Sequence, residues 1–401
     1  MQLPHFIMRS VALATAASAL NLFALFTPSA FAQDEPKEAP KLAEDIHETV
    51  VKVPVTVTLL SGKSHTGQMI VTHFRPDGDG PFPIVIFNHG RSAAKDKRAE
   101  TPRFRSTTIA RYWIRRGFAV FVPTRLGYGD AGLDPDPEYS GPLCSDRKFN
   151  IPLAVMLKHV GATLEFAKSL PWVDAKRMIV MGQSYGGFAS IGASGEKLPG
   201  VLAAINFAGG VGGRPDTNPG DPCSPEKTAA IAADLGKRTT LPMLWLYSEN
   251  DKYWGADWPR KWHTAYGQGG GRADMTTFPP VDDDGHKLLS KGFRLWRPVV
   301  DRFMEKLGFP PPKSKNAPPA TGFARLDDSS KLPYVKDDVK SEKYPKFLDA
   351  DIPRALAISP SGAWAWQTGE TAPQQALAGC QKVSKTPCRL YAVDDAVVWK
   401  P

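Results

Sequence analysis

The stretch that most restricts what this chain can fold into is Arg177-Met-Ile-Val-Met-Gly182-Gln183-Ser184-Tyr185-Gly186-Gly187-Phe-Ala-Ser. Met178 to Met181 form a short apolar run of buried-strand type, Gly182-x-Ser184-x-Gly186 follows at once, and an Ala/Gly-rich segment of helical character comes next. A serine hydroxyl is a poor nucleophile in water. A sharp turn between strand and helix exposes its oxygen and crowds the positions two residues to either side, where glycine fits. The same turn aims the Tyr185 backbone N–H at the place where negative charge would develop on a carbonyl under attack.

Strands and helices alternate around this turn. Val51, Val53, Val55 and Val57 alternate with more polar residues in a strand over 50–60, and the Ser61-Gly62-Lys63 turn pairs it with a second over 67–74. Pro83-Ile-Val-Ile-Phe-Asn-His89-Gly90-Arg91-Ser92 reads as an apolar strand ending in a polar glycine turn. The run 101–117 reads as one helix and 118–123 as the next strand. After Thr124-Arg125-Leu-Gly127-Tyr128-Gly129, a long loop through Cys144 leads to a helix over 152–169. Beyond the Ser184 turn come a strand at 201–207, a Gly/Pro loop at 209–225 carrying Cys223, and a strand at 241–247 that ends at Ser248-Glu249-Asn250-Asp251. A helix over 254–266, a strand over 273–278 and Val281-Asp-Asp-Asp-Gly285-His286 lead into a last helix reaching Leu307. Eight strands with interleaved helices predict a mostly parallel sheet in one domain over 49–308.

The ends of the chain differ in character. Arg9, an apolar run from Val11 to Phe26 and small residues at Ala30 and Ala32 predict a signal peptide over 1–32, and charged residues 33–48 a flexible leader. Export to the periplasm or the extracellular space follows. No later apolar run is long enough to span a bilayer without charge, so no stable membrane insertion is expected after cleavage. Residues 309–321 have Pro-rich linker composition, and 322–401 carry apolar patches that predict a small α+β appendage.

The four cysteines are an even number in an exported chain, which favours disulfides over buried thiols. Cys144 and Cys223 lie in loops that leave the same edge of a parallel sheet, and Cys380 and Cys388 are close in sequence. The expected pairs are therefore Cys144 with Cys223 and Cys380 with Cys388. A formal charge of +9 is spread along the chain with no Lys/Arg block, which argues against nucleic acid. No Cys-x-x-Cys pair offers a metal site, and Asp282-Asp283-Asp284-Gly285 lacks alternating calcium-ligand spacing. No glycine fingerprint for a dinucleotide appears either, so no metal and no cofactor is expected.

A serine nucleophile needs a base, and the base an orienting carboxylate. Asp251 and His286 lie just past strand ends, where a parallel sheet presents side chains to one crevice. Glu249 and Asp257 are rivals for the acid, and His263 and His89 for the base. With Asn88-His89-Gly90, Arg125-Leu-Gly127-Tyr128-Gly129, Gly182-Gln-Ser-Tyr-Gly186-Gly187, Asp251 and Gly285-His286 in this order, residues 50–307 resemble the dienelactone hydrolase and prolyl-oligopeptidase-like branch of the α/β-hydrolases. The resemblance implies Ser184 as nucleophile, Asp251 as acid and His286 as base. It also implies an oxyanion hole from the backbone N–H groups of Tyr185 and Arg91. Founding dienelactone hydrolases carry cysteine where Ser184 stands, and no segment long enough for the propeller of the oligopeptidases precedes the domain. The expected activity is hydrolysis of a small-molecule carboxylic ester. A peptidase or amidase, or a protein that binds an envelope polymer through Trp364, Trp366 or Trp399, are the alternatives.

Overall fold

In the computed structural model the described residues are 41–401 apart from 93, 130–131, 133–135, 240, 310–313, 315–316, 351 and 370. The expected signal peptide and residues 33–40 of the expected leader lie outside them, as does part of the expected linker.

Eight strands form one sheet in the order β1-β2-β4-β3-β5-β6-β7-β8. The first two, β1 (Thr49–Thr58) and β2 (Ser64–Phe74), make the predicted antiparallel hairpin. In β1, Val53, Val55 and Val57 are buried between exposed neighbours, the signature of a strand with one face in water. β2 pairs antiparallel with β4 (Ala119–Thr124). From there β3 (Phe82–Asn88), β5 (Val173–Gln183), β6 (Val201–Phe207), β7 (Met243–Ser248) and β8 (Ala273–Phe278) continue in parallel.

Helices cover both faces, as a parallel sheet requires. On one side α2 (Thr107–Ile114) and α8 (Phe293–Lys306) pack Trp113 and Trp296 onto Val85, Ile179 and Ile205. On the other, α3 (Asn150–Lys168), α4 (Tyr185–Ser194), α5 (Pro225–Arg238) and α6 (Asp257–Gln268) close over the opposite face.

The helices depart from those expected of the sequence in three places. Of the helix expected over 101–117 only α2 forms, and a short α1 (Lys95–Ala99) precedes the expected span. Between them Ser106 takes φ 51°, which ends helical continuity, and Arg103 and Arg105 turn inward to the buried carboxylate of Glu48. The last helix is broken at Gly292 into α7 (Leu288–Lys291) and α8. Helix α5 had no counterpart in the sequence reading.

The C-terminal segment builds its own layer, a four-stranded antiparallel sheet in the order β10-β9-β11-β12. Its strands are β9 (Arg354–Ile358), β10 (Trp364–Thr368), β11 (Arg389–Val393) and β12 (Ala396–Val397). α9 (Tyr344–Asp349) contributes Tyr344 and Phe347 to a core with Tyr391 and Trp399, while α10 (Ala372–Val383) covers Ala355 and Ala357. The Cys380–Cys388 disulfide ties α10 to the start of β11. Arg297 of α8 joins this layer to the larger sheet, donating to the Ala350 carbonyl at 2.7 Å and to Asp395 at 2.6 Å.

Candidate active site

The chain leaves β4 for the far side of β3 before forming β5, so β3 and β5 are neighbours whose connections run in opposite directions. Such a switch point opens a crevice at the carboxyl ends of its two strands. The His89-Gly90-Arg91 turn ends β3 and Ser184 ends β5, so both reach this crevice.

Ser184 sits between β5 and α4 with φ 58° and ψ −122°, a backbone conformation rare for any residue with a Cβ. The neighbours hold it there. Its N–H donates to Phe207 O at 3.0 Å, and its carbonyl accepts from Phe188 N–H at 2.9 Å and Gly210 N–H at 3.3 Å. A Cβ on Gly182 would collide with the Gly186 carbonyl, and one on Gly186 with the Asn88 carbonyl. The glycine spacing is thus the packing of β3, β5 and α4 against one another. Tyr185 opens α4, so its N–H has no preceding helical turn to bond.

Asp251 and His286 come together across the ends of β7 and β8. The Asp251 carboxylate is buried, and its oxygens lie 3.2 and 3.1 Å from His286 Nδ1. Its Oδ1 also accepts the Tyr253 and Trp254 N–H groups at 2.8 and 3.2 Å, which fixes the carboxylate plane. The His286 ring stacks on Tyr253 at 3.8 Å and meets the edge of Trp254. Asp284 accepts the His286 N–H at 2.9 Å and the Lys252 N–H at 3.0 Å, and so ties the β8 loop to the β7 loop. Gln183 donates to the His286 carbonyl at 3.1 Å, linking the loop to the residue before Ser184. Among the described residues the Ser184 hydroxyl has no hydrogen-bond partner. It shares a cavity of about 470 Å³ with Tyr185, Arg91, Tyr253 and Trp254.

The rivals are elsewhere. Glu249 is exposed, Asp257 points to solvent from α6, and His263 is engaged with the Ala273 carbonyl at 2.8 Å. His89 is part of the β3 turn. Its Nε2 accepts the Arg125 N–H at 3.2 Å, which leaves the ring proton on Nδ1, and Nδ1 donates to the Gly90 carbonyl at 2.6 Å. Burial, then the charge of Arg125, holds its pKa well below the ordinary histidine value, so the ring is a neutral fixture.

A second set of groups locks this turn. Arg125 donates to the His89 carbonyl at 2.8 Å and to the Gly90 carbonyl at 3.3 Å, so both carbonyls are engaged by the scaffold. Arg125 is itself ion-paired with buried Glu138. Arg91 pairs with Asp136 and lies 3.4 Å from Glu138, with its guanidinium over the Tyr185 ring. His159 finishes the scaffold: its Nε2 accepts the Leu126 N–H at 3.0 Å and Nδ1 donates to the Val155 carbonyl at 2.8 Å. In the sequence Arg125 stands out only as part of the Arg125-Leu-Gly127-Tyr128-Gly129 motif. Glu138 and Asp136 had no local signal at all.

The Cys144–Cys223 disulfide joins the loop after β4 to the loop after β6, and Cys223 lines the Ser184 cavity. Among the described residues no group of three His, Cys, Asp or Glu side chains could hold a metal ion, and no helix is long and apolar enough to cross a membrane.

A sheet of this order, with β2 antiparallel and a strained serine turn following β5, is the α/β-hydrolase fold. No protein-family model matches the chain and no curated protein does. Among solved structures it is similar to one described as a dienelactone hydrolase from Klebsiella pneumoniae subsp. pneumoniae, at 18% identity over 65% of this chain and 98% of that one, with a TM-score of 0.40. An acetyl xylan esterase from Paenibacillus sp. R4 gives 17% identity, 65% and 89% coverage, and a TM-score of 0.41. An acylaminoacyl peptidase from Pyrococcus horikoshii gives 15% identity and a TM-score of 0.44; there 67% of this chain matches 43% of the other.

Proposed function

We propose that this chain is an exported serine hydrolase that cleaves small-molecule carboxylic esters through an acyl-enzyme. The observation that carries the proposal is the buried Asp251–His286 pair at 3.1 Å, its imidazole stacked on Tyr253, which lines the same cavity as a serine held at φ 58° at the switch point. His286 Nε2 takes the Ser184 proton as Oγ attacks the carbonyl carbon. Asp251 keeps the other ring proton on Nδ1 and stabilises the imidazolium. The Tyr185 and Arg91 N–H groups receive the developing oxyanion. Collapse of the tetrahedral intermediate breaks the ester bond, and the alkoxide leaves with the proton from His286. Water then adds to the acyl-enzyme by the same steps and releases the acid. Export is supported by the N-terminal sequence and by two disulfides, which persist in oxidising compartments.

The test compares matched 4-nitrophenyl ester and 4-nitroanilide substrates on the purified mature chain. Ester turnover far above anilide turnover, lost in Asp251→Asn and His286→Gln, is the expected result. Anilide cleavage at a comparable kcat/KM would make the enzyme an amidase.

A further inference from the structure

A second cleft, of about 880 Å³, runs beside the Ser184 cavity between the large sheet and the C-terminal layer. Its inner end is formed by Gly90 and Gln183, which back onto the nucleophile: a Cβ on Gly90 would lie 3.3 Å from Ser184 Cβ. Leu289 and Ser290, from the segment that follows His286, line it as well. The outer wall comes from the appendage, through Trp366 and Thr368 of β10. The volume suits a small organic ligand, and the cleft lies against the residue before Ser184 and the segment that follows His286.

The lining says what kind of ligand fits. Phe104 and Phe293 give the cleft an aromatic floor, and Trp366 is half-exposed, braced from behind by Phe347 at 6.4 Å. Hydroxyls surround these rings, from Ser106, Thr107 and Thr368 besides Ser290. A long alkyl chain would strip water from these hydroxyls and from Gln183 without replacing its hydrogen bonds. The charged groups of the lining are mixed in sign, Arg115 and Lys291 against Asp349, which is itself paired with Arg294 at 2.9 Å, and none of them lies among these rings and hydroxyls. A ring with apolar C–H faces and several hydroxyls satisfies both surfaces.

We propose that this cleft seats a sugar-like, polyhydroxylated alcohol portion of the ester, stacked on Trp366, so that the C-terminal layer sets substrate specificity. The proposal rests on Ser184 being the nucleophile of an ester hydrolase. Full-length Ser184→Ala protein is titrated with cellobiose and with maltose by calorimetry, which reads the cleft without any turnover. In the active chain, KM for 6-O-acetylglucose is compared with kcat/KM for 4-nitrophenyl acetate, whose small alcohol does not need the sugar contacts. Trp366→Ala should weaken disaccharide binding at least about tenfold and raise KM for the sugar ester by a similar factor, leaving 4-nitrophenyl acetate within about twofold. Thr368→Val, which keeps the side-chain shape and removes one hydroxyl, should shift the same two readings in the same direction by a smaller factor if Trp366→Ala fails to fold. No binding of either disaccharide together with unchanged KM for the sugar ester in these variants overturns the proposal. Equal losses on both esters overturn it too. If no ester is hydrolysed and a fluorophosphonate fails to label Ser184, the hydrolase reading has failed, and the titration still decides whether the cleft takes a sugar.

Discussion

Acid should unfold this protein through its buried histidines, and one substitution isolates the effect. Burial pushes the pKa of His159 down to about 3, assisted by Arg125 and opposed by its bond to the Val155 carbonyl. Burial, with Arg75, pushes His73 down to about 4. His89 is held well below its ordinary value too. A histidine whose folded pKa is depressed contributes stability that is present above its unfolded pKa, near 6.5, and is lost as pH falls towards the folded value. Between about pH 6 and pH 5 the unfolded chain binds nearly one proton on each of His159 and His73 and the native chain almost none. These two rings together then remove about 3 kcal/mol per pH unit, and His89 acts in the same direction. That is a large part of a typical net stability of about 5–15 kcal/mol. Glu48, held at about 2 by Arg105, the Ala43 N–H and Arg103 against its burial, adds the same sign of effect, but only below the ordinary carboxylate range. Urea unfolding at pH 7, 6 and 5 measures the slope, and His159→Gln, which keeps an acceptor for the Leu126 N–H, should lower it by about 1.4 kcal/mol per unit. A slope near zero between pH 6 and 5, or one that His159→Gln leaves unchanged, would refute the reasoning. The same protonation removes the Nε2 acceptor of His89 from the Arg125 N–H, so the β3 turn should loosen together with the fold.

Two further outcomes follow from the geometry around the crevice. Glu138→Gln leaves the buried Arg125 guanidinium without its counter-charge, at a stability cost of about 3–5 kcal/mol. It should also lower kcat by up to about a hundredfold with little change in KM, because the turn that carries the Arg91 N–H loses its anchor; a change confined to KM would contradict that role. Removing the Cys144–Cys223 bond in a Cys144→Ser, Cys223→Ser protein should cost about 4.5 kcal/mol by the loop-entropy account, since the bond closes a separation of 79 residues. Because Cys223 lines the Ser184 cavity, the preference for bulky over small acyl groups should shift as well, and an unchanged melting temperature with an unchanged acyl profile would contradict both expectations.

Much of the architecture was legible because it rests on local patterns. Valines on alternate positions reported β1, and the apolar run before Gly182 reported the innermost part of β5. The meeting of Asp251 with His286 could be anticipated because strand ends of a parallel sheet converge on one edge. The cysteine pairing could be anticipated for the same reason. The helix predicted over 101–117 failed because Arg103 and Arg105 are drawn to Glu48, a partner more than fifty residues earlier, and helical periodicity carries no trace of such a pull. Helix α5 did carry a start signal, Ser224-Pro225-Glu226, hidden beside a Gly/Pro-rich loop. The anchoring of the β3 turn by Arg125, Glu138 and Asp136 was invisible for a deeper reason. These are long-range charge pairings that only the folded chain brings together, and Arg91 meets Asp136 across 45 residues.

The central claim is that Ser184 is a nucleophile activated by the Asp251–His286 pair. Incubating the mature chain with a fluorophosphonate and mapping the adduct by peptide mass spectrometry tests it most directly. The account predicts a single adduct on the Ser184 peptide, absent in Ser184→Ala and formed at least about a thousandfold more slowly in His286→Gln. An adduct on another residue, or labelling that proceeds unchanged in Ser184→Ala, would contradict it.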